Sequence, residues 1–129
     1  DIQIDGSHYK NVKIQPIELA YKLGASPAFC KLAKYISRQK NDKKINLQKA
    51  IHCIRLEKEL DSKYTPYCLS KEYALINYIE DWRDDISEFC NQYTKNDHMC
   101  HALICMYCSD YDLAIKYVVK YASSLGIDL

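Results

Sequence analysis

Pro27-Ala28-Phe29-Cys30-Lys31-Leu32-Ala33-Lys34-Tyr35-Ile36-Ser37-Arg38 is the stretch on which the fold turns. Phe29, Leu32, Ala33 and Ile36 recur at helical spacing, while Lys31, Lys34 and Arg38, spaced i, i+3, i+7, share the opposite side. The pattern predicts an amphipathic helix with one basic face. Ser26-Pro27 supplies its start signal, and it should run to about Gln39.

Upstream, Pro16 opens a shorter helix with Glu18 in its first turn and Gly24 at its end, after an extended segment from Asp1 to Gln15. Downstream, a polar link from Lys40 to Lys44 precedes a third helix, capped by Asn46 and reaching about Ser62. Its buried stripe should comprise Leu47, Ala50, Ile51, Ile54 and the stem of Lys58. Tyr64, Pro66 and Tyr67 mark a loop between two halves. Ser70 then caps a long segment whose Leu75, Ile79, Trp82, Ile86, Phe89 and Tyr93 hold one stripe, with a bend expected near Asp84-Asp85. Asp97 starts a helix, His98 to Cys108, so apolar that it should be central. Asp110 caps the last helix, which Gly126 closes.

Three glycines and three prolines in 129 residues leave little turn chemistry for a sheet. The expected fold is all-α, a compact bundle of about five to six helices with an extended N-terminal segment. Residues 1–129 make one helical domain, with a basic half (7–62) and a tyrosine- and cysteine-rich half (63–129).

The net charge of +1 argues against a strongly basic nucleic-acid binder and a strongly acidic DNA mimic, but it is a cancellation. From Lys31 to Lys58 nine bases face two acids, a net of +7; from Glu59 to Asp112 eleven acids face four bases, a net of −7. No run of about 18 apolar residues suggests a membrane span. Seven cysteines, an odd number set within apolar patterns, suit reduced thiols packed as small hydrophobes. Excess apolar surface in the second half points to a homo-oligomer.

Four groups of residues carry candidate chemistry. Lys31, Lys34 and Arg38 suit a phosphate, with Tyr35 beside them to stack on a base; by periodicity alone, however, a basic side opposite an apolar stripe is what any surface helix shows. Ser7-His8-Tyr9 offers a histidine that titrates near neutrality. His98, Cys100, His101, Cys105 and Cys108 are zinc-type ligands, but they span roughly 15 Å of helix, too far to meet at one ion, so buried thiols are the preferred reading and no metal or cofactor is expected. Glu80, Asp84 and Glu88 fall on one helical face without an opposing acidic helix, which favours a solvated side. No Walker loop, G-x-S-x-G elbow or H-E-x-x-H is present.

Ser7-His8-Tyr9, Ile14-Gln15-Pro16-Ile17-Glu18, Lys34-Tyr35-Ile36-x-Arg38 and, after a lysine-rich loop, Leu47-x-Lys49-Ala50 together resemble a small bacteriophage family of largely unknown function. That family includes a podovirus deoxynucleoside-monophosphate kinase without a Walker motif. The resemblance spans residues 7–60. It implies a nucleotide or phosphate site made of His8, Tyr9, Glu18, Lys34, Tyr35, Arg38 and Lys49, to which the basic face of the helix adds Lys31, and a location in the host cytoplasm. The family's usual Gly-Asn is replaced here by Cys30-Lys31, which weighs against catalysis more than against anion binding. The expectation is therefore a protein that binds or sequesters a nucleotide or nucleotide-derived small molecule, with phosphorylation as an open variant. The alternative is an inhibitor that docks on a host enzyme or defence complex, for which tyrosine-rich surfaces are suited.

Overall fold

The computed structural model describes residues 14–39, 42–64 and 80–129. Among these there are six helices and no strand: α1 (Pro16–Leu23), α2 (Pro27–Ser37), α3 (Lys43–Lys63), α4 (Trp82–Asn91), α5 (Asp97–Tyr107) and α6 (Tyr111–Ser124). The all-α expectation holds. The extended segment before Ile14, and residues 65–79 with the Ser70 cap, lie outside the described residues.

Local signals set most of the helix ends. Pro16 and Pro27 occupy first-turn positions, where a missing N–H costs no helical hydrogen bond. The Ser26 hydroxyl accepts from the Phe29 N–H at 3.0 Å and donates to the Glu57 carboxylate of α3. Gly24 ends α1 in the left-handed conformation (φ 60°), its N–H reaching back to the carbonyls of the final turn. Two boundaries differ from the sequence reading. α2 stops at Ser37, with Arg38 already extended. α3 begins four residues early because Asp42, not Asn46, is the cap: its carboxylate accepts from the N–H groups of Lys44 (2.9 Å) and Ile45 (3.3 Å), while Asn46 is buried.

One core draws on all six helices. Leu19 and Leu23 of α1, Phe29, Leu32 and Ile36 of α2, Leu47 and Ile54 of α3, Ile86 and Phe89 of α4, Met99 and Leu103 of α5, and Val118 of α6 belong to the same cluster. Tyr107 is its keystone. Fully buried, it packs edge-on against Phe29 (5.8 Å) and beside Trp82 (4.9 Å), and its hydroxyl donates to the Leu23 carbonyl at 2.7 Å. α5 therefore touches α2, α4 and α6, the central position its apolar sequence implies.

Polar ties fix the outer helices. Gln92 pairs with the backbone of Ile14 in both directions, accepting its N–H at 2.7 Å and donating to its carbonyl at 3.1 Å. Lys22 of α1 meets Asp85 of α4 at 2.9 Å. Tyr111 donates to Asp61, joining α6 to α3; burial and the Asp61 carboxylate push its phenol above the ordinary tyrosine range. Lys58 departs from expectation. Its stem is not part of the buried stripe; the side chain is exposed and pairs with Asp112 at 2.8 Å, while Cys53 is buried on that helix. No helix among the described residues is long and apolar enough to cross a membrane.

Candidate functional site

The apolar stripe of α2 faces the core, so its basic residues must face outward or toward α3, its principal neighbour. At this seam half-buried Tyr35 collects three cations. Lys34 Nζ lies 5.8 Å from the ring centroid, Arg38 Cζ 5.9 Å, and Lys49 Nζ of α3 5.6 Å. All three are within cation–π reach of one aromatic ring. Two come from α2 and one from α3, so helix packing assembles the group. The break of α2 at Arg38 gives that residue an extended backbone (φ −64°, ψ 127°), and its side chain still reaches the ring.

Lys31 is exposed one turn upstream and stands near enough to the Cys53 thiol of α3 to oppose the upward push that burial gives it. Lys34 likewise opposes the burial that raises the Cys30 thiol. The positive field of the seam therefore extends over four basic residues. Among the described residues, no carboxylate pairs with any of them; the two ion pairs are Lys22–Asp85 and Lys58–Asp112. A ring quadrupole offsets on the order of 0.5–1 kcal/mol per exposed cation and cannot neutralise three. Three cations therefore lie within 6 Å of one ring centroid, and among the described residues none of them has a carboxylate partner.

Lys43 completes the seam and was not singled out by the sequence. It is the first residue of α3, yet its ammonium turns back to the end of α2, donating to the carbonyls of Ile36 (2.9 Å) and Arg38 (2.8 Å) and lying 5.3 Å from the Tyr121 ring centroid. Burial lowers its pKa to about 8. A cation is misplaced at the start of α3 but well placed at the negative end of α2, and the second helix decides its direction. The one sequence signal was a lysine at the entry of a helix with no acid in its first turn.

The other expected residues are distributed as follows. Glu18 is exposed on α1. His8 and Tyr9 lie outside the described residues. His98 and His101 flank the Tyr117 ring (6.2 and 5.0 Å), and among the described residues no three His, Cys, Asp or Glu side chains converge to hold a metal ion. Asp84 and Glu88 are exposed, whereas neighbouring Asp85 is buried against Lys22.

Comparison with family models, with curated proteins and with solved structures returns no match.

Proposed function

We propose that the protein binds a nucleotide, or a small molecule derived from one, at the α2–α3 seam. Lys34, Arg38 and Lys49 hold its phosphate, Lys31 adds charge at the margin, and Tyr35 fixes the spacing of the three cations. The observation that carries the reading is the convergence of three cations on one tyrosine, none of them paired with a carboxylate among the described residues. The resemblance of residues 7–60 to the phage family points the same way and adds His8, Tyr9 and Glu18 as residues that would close on the ligand. Binding is preferred to phosphoryl transfer, because Cys30-Lys31 stands in place of the family's Gly-Asn and Tyr35 has only cations beside it in the group.

A thermal-shift panel of nucleoside mono-, di- and triphosphates, cyclic nucleotides and NAD-derived species tests this. A ligand present at 100 times its Kd stabilises the fold by about 2.7 kcal/mol, an easily measured rise in Tm. A double Lys34→Ala, Arg38→Ala variant should lose that rise while folding normally. If no member of the panel shifts Tm, or the double variant responds like the wild type, the reading is wrong. Incubation with ATP and each monophosphate, followed by chromatography, separates binding from transfer.

The second reading, a contact with a host enzyme or defence complex, rests on α1. Ile17 and Tyr21, one turn apart, are 64% and 87% exposed, an unusual pair of large apolar side chains to leave in water. An Ile17→Asp, Tyr21→Asp variant that still binds nucleotide but no longer retains a protein from host lysate would favour it.

A further inference from the structure

α3 and α6 pack in opposite directions and leave a cleft along one flank of their contact. Their register is fixed at both ends: Tyr111 donates to Asp61 and Asp112 pairs with Lys58 at 2.8 Å, while the Lys43 ammonium lies 5.3 Å from the Tyr121 ring centroid. Between these ties Gln48, Ile51 and Arg55 of α3 stand opposite Ile115 and Val119 of α6, and with Leu129 they line a space of about 300 Å³. That lies at the small end of the range for ligand sites and has room for roughly ten waters at ~30 Å³ each.

The lining is sorted by chemistry. Ile51 is buried in the core and Ile115 packs half-buried against it, so the floor is apolar. Val119 and Leu129 are 41% and 37% exposed, apolar walls left facing water. Gln48 and Arg55 are exposed and stand seven residues apart on α3, roughly 10 Å along the helix axis at 1.5 Å per residue. The cleft therefore has a hydrocarbon middle, an amide toward one end and a guanidinium toward the other.

We propose that this cleft binds a small amphipathic carboxylate, its acid group on Arg55 and its hydrocarbon against Ile51, Ile115, Val119 and Leu129. Charge fixes the polarity. Arg55 makes no ion pair among the described residues, although Glu59 stands one turn on. Asp112, the acid of α6 at that end, is already paired with Lys58, and Lys116 adds positive charge beside it. Asp128 precedes Leu129 in the chain and disfavours a second negative charge at the far end. A guanidinium grips a carboxylate through two parallel hydrogen bonds, and the apolar walls gain by leaving water. The site shares no residue with the Tyr35 group, and the two differ in kind: there cations surround a ring, whereas here one cation ends an apolar trough.

Octanoate is the probe, titrated at millimolar concentration into isotope-labelled full-length protein and followed by two-dimensional amide NMR. Shifts should cluster at Gln48, Ile51, Arg55, Ile115 and Val119. Octylamine, the same chain with the opposite charge, should bind the wild type roughly ten-fold more weakly or worse, a comparison that needs no variant. Arg55→Met should weaken octanoate by about ten-fold or more and leave octanol unchanged, because only the charged contact is lost. Val119→Glu, at an exposed position, should abolish octanoate binding with the fold intact. The Lys34→Ala, Arg38→Ala variant should bind octanoate as the wild type does. Absence of shifts in the cleft, equal affinity for octanoate and octylamine, or undiminished affinity in Arg55→Met would overturn the proposal. So would concentration-dependent broadening of these amides without ligand, the sign of a second copy covering the cleft.

Discussion

The Lys43 ammonium stands 2.8 Å from the main-chain oxygen of Arg38, so one side chain from the start of α3 closes the end of α2 beneath the cation group around Tyr35. Terminal carbonyls of α2 that would otherwise be orphaned find a donor there, and the donor finds no carboxylate among the described residues.

That arrangement predicts an alkaline gain in stability. The folded-state pKa of Lys43 is about 8 against an ordinary 10.5, so the unfolded chain binds more protons between these values and stability rises with pH across that window. Because solvent still reaches the half-buried group, the effect is discounted to on the order of 1 kcal/mol. The stability advantage of wild type over Lys43→Met, measured by urea denaturation, should therefore grow by about that amount from pH 7.5 to 9.5. Comparison with the variant cancels the cysteines and tyrosines that titrate in the same range. A flat difference would mean that the ammonium is not desolvated.

The cations around Tyr35 should behave as functional residues, weak for stability and strong for binding. Lys49 is exposed and stands among like charges, so Lys49→Ala should leave unliganded stability within about ±0.5 kcal/mol. Loss of a charge-assisted contact to phosphate, worth about 1.5–3 kcal/mol, should weaken binding roughly ten-fold or more by calorimetry. Lys120, which lies 5.2 Å from the ring centroid of Tyr117, is the control: Lys120→Ala removes a similar pair elsewhere and should not change affinity. Equal losses from both variants would show that the response is bulk electrostatics rather than a site.

Much of this site was legible where it depends on one helix. Lys34 and Arg38 are one turn apart, and Tyr35 lies between them, so the sequence places them on one side of α2. Lys49 entered only through the family resemblance, since its approach to Tyr35 is set by α2–α3 packing. Lys43 was illegible for the same reason, because its partners are the end of a different helix and a ring on α6. The fold followed a similar rule. Pro16, Ser26-Pro27 and Asp97 marked helix starts because proline and capping residues act within one turn. Asn46 misled because Asp42, another cap-forming residue, stood one turn earlier inside a lysine-rich link.

Tyr107→Phe isolates one buried hydrogen bond. The substitution keeps the ring against Phe29 and Trp82 but removes the donor to the Leu23 carbonyl. A carbonyl left unpaired in the core costs about 1–3 kcal/mol, and Tm should fall accordingly, with little change in the m-value because the packing survives. A loss below about 0.5 kcal/mol would mean that another donor takes over that carbonyl.

The Lys22–Asp85 pair should be asymmetric. The Asp85 side chain is 11% exposed and Lys22 57%, so removing each partner leaves a different residue behind. Lys22→Met strands a nearly buried carboxylate and should cost about 1–3 kcal/mol. Asp85→Asn frees a lysine already reaching into solvent, keeps an acceptor oxygen in place and should cost under about 1 kcal/mol. The Lys22 pKa points to the same pairing: it is raised first by its hydrogen bond to Asp85 and then by the attraction between the charges, so the contribution is present at neutral pH and is lost as pH climbs past the ordinary lysine range. Chemical denaturation of both variants at pH 7 provides the check. If Asp85→Asn proved the costlier change, the ammonium rather than the carboxylate would be the group that depends on its partner, and the asymmetry argued from burial would be reversed.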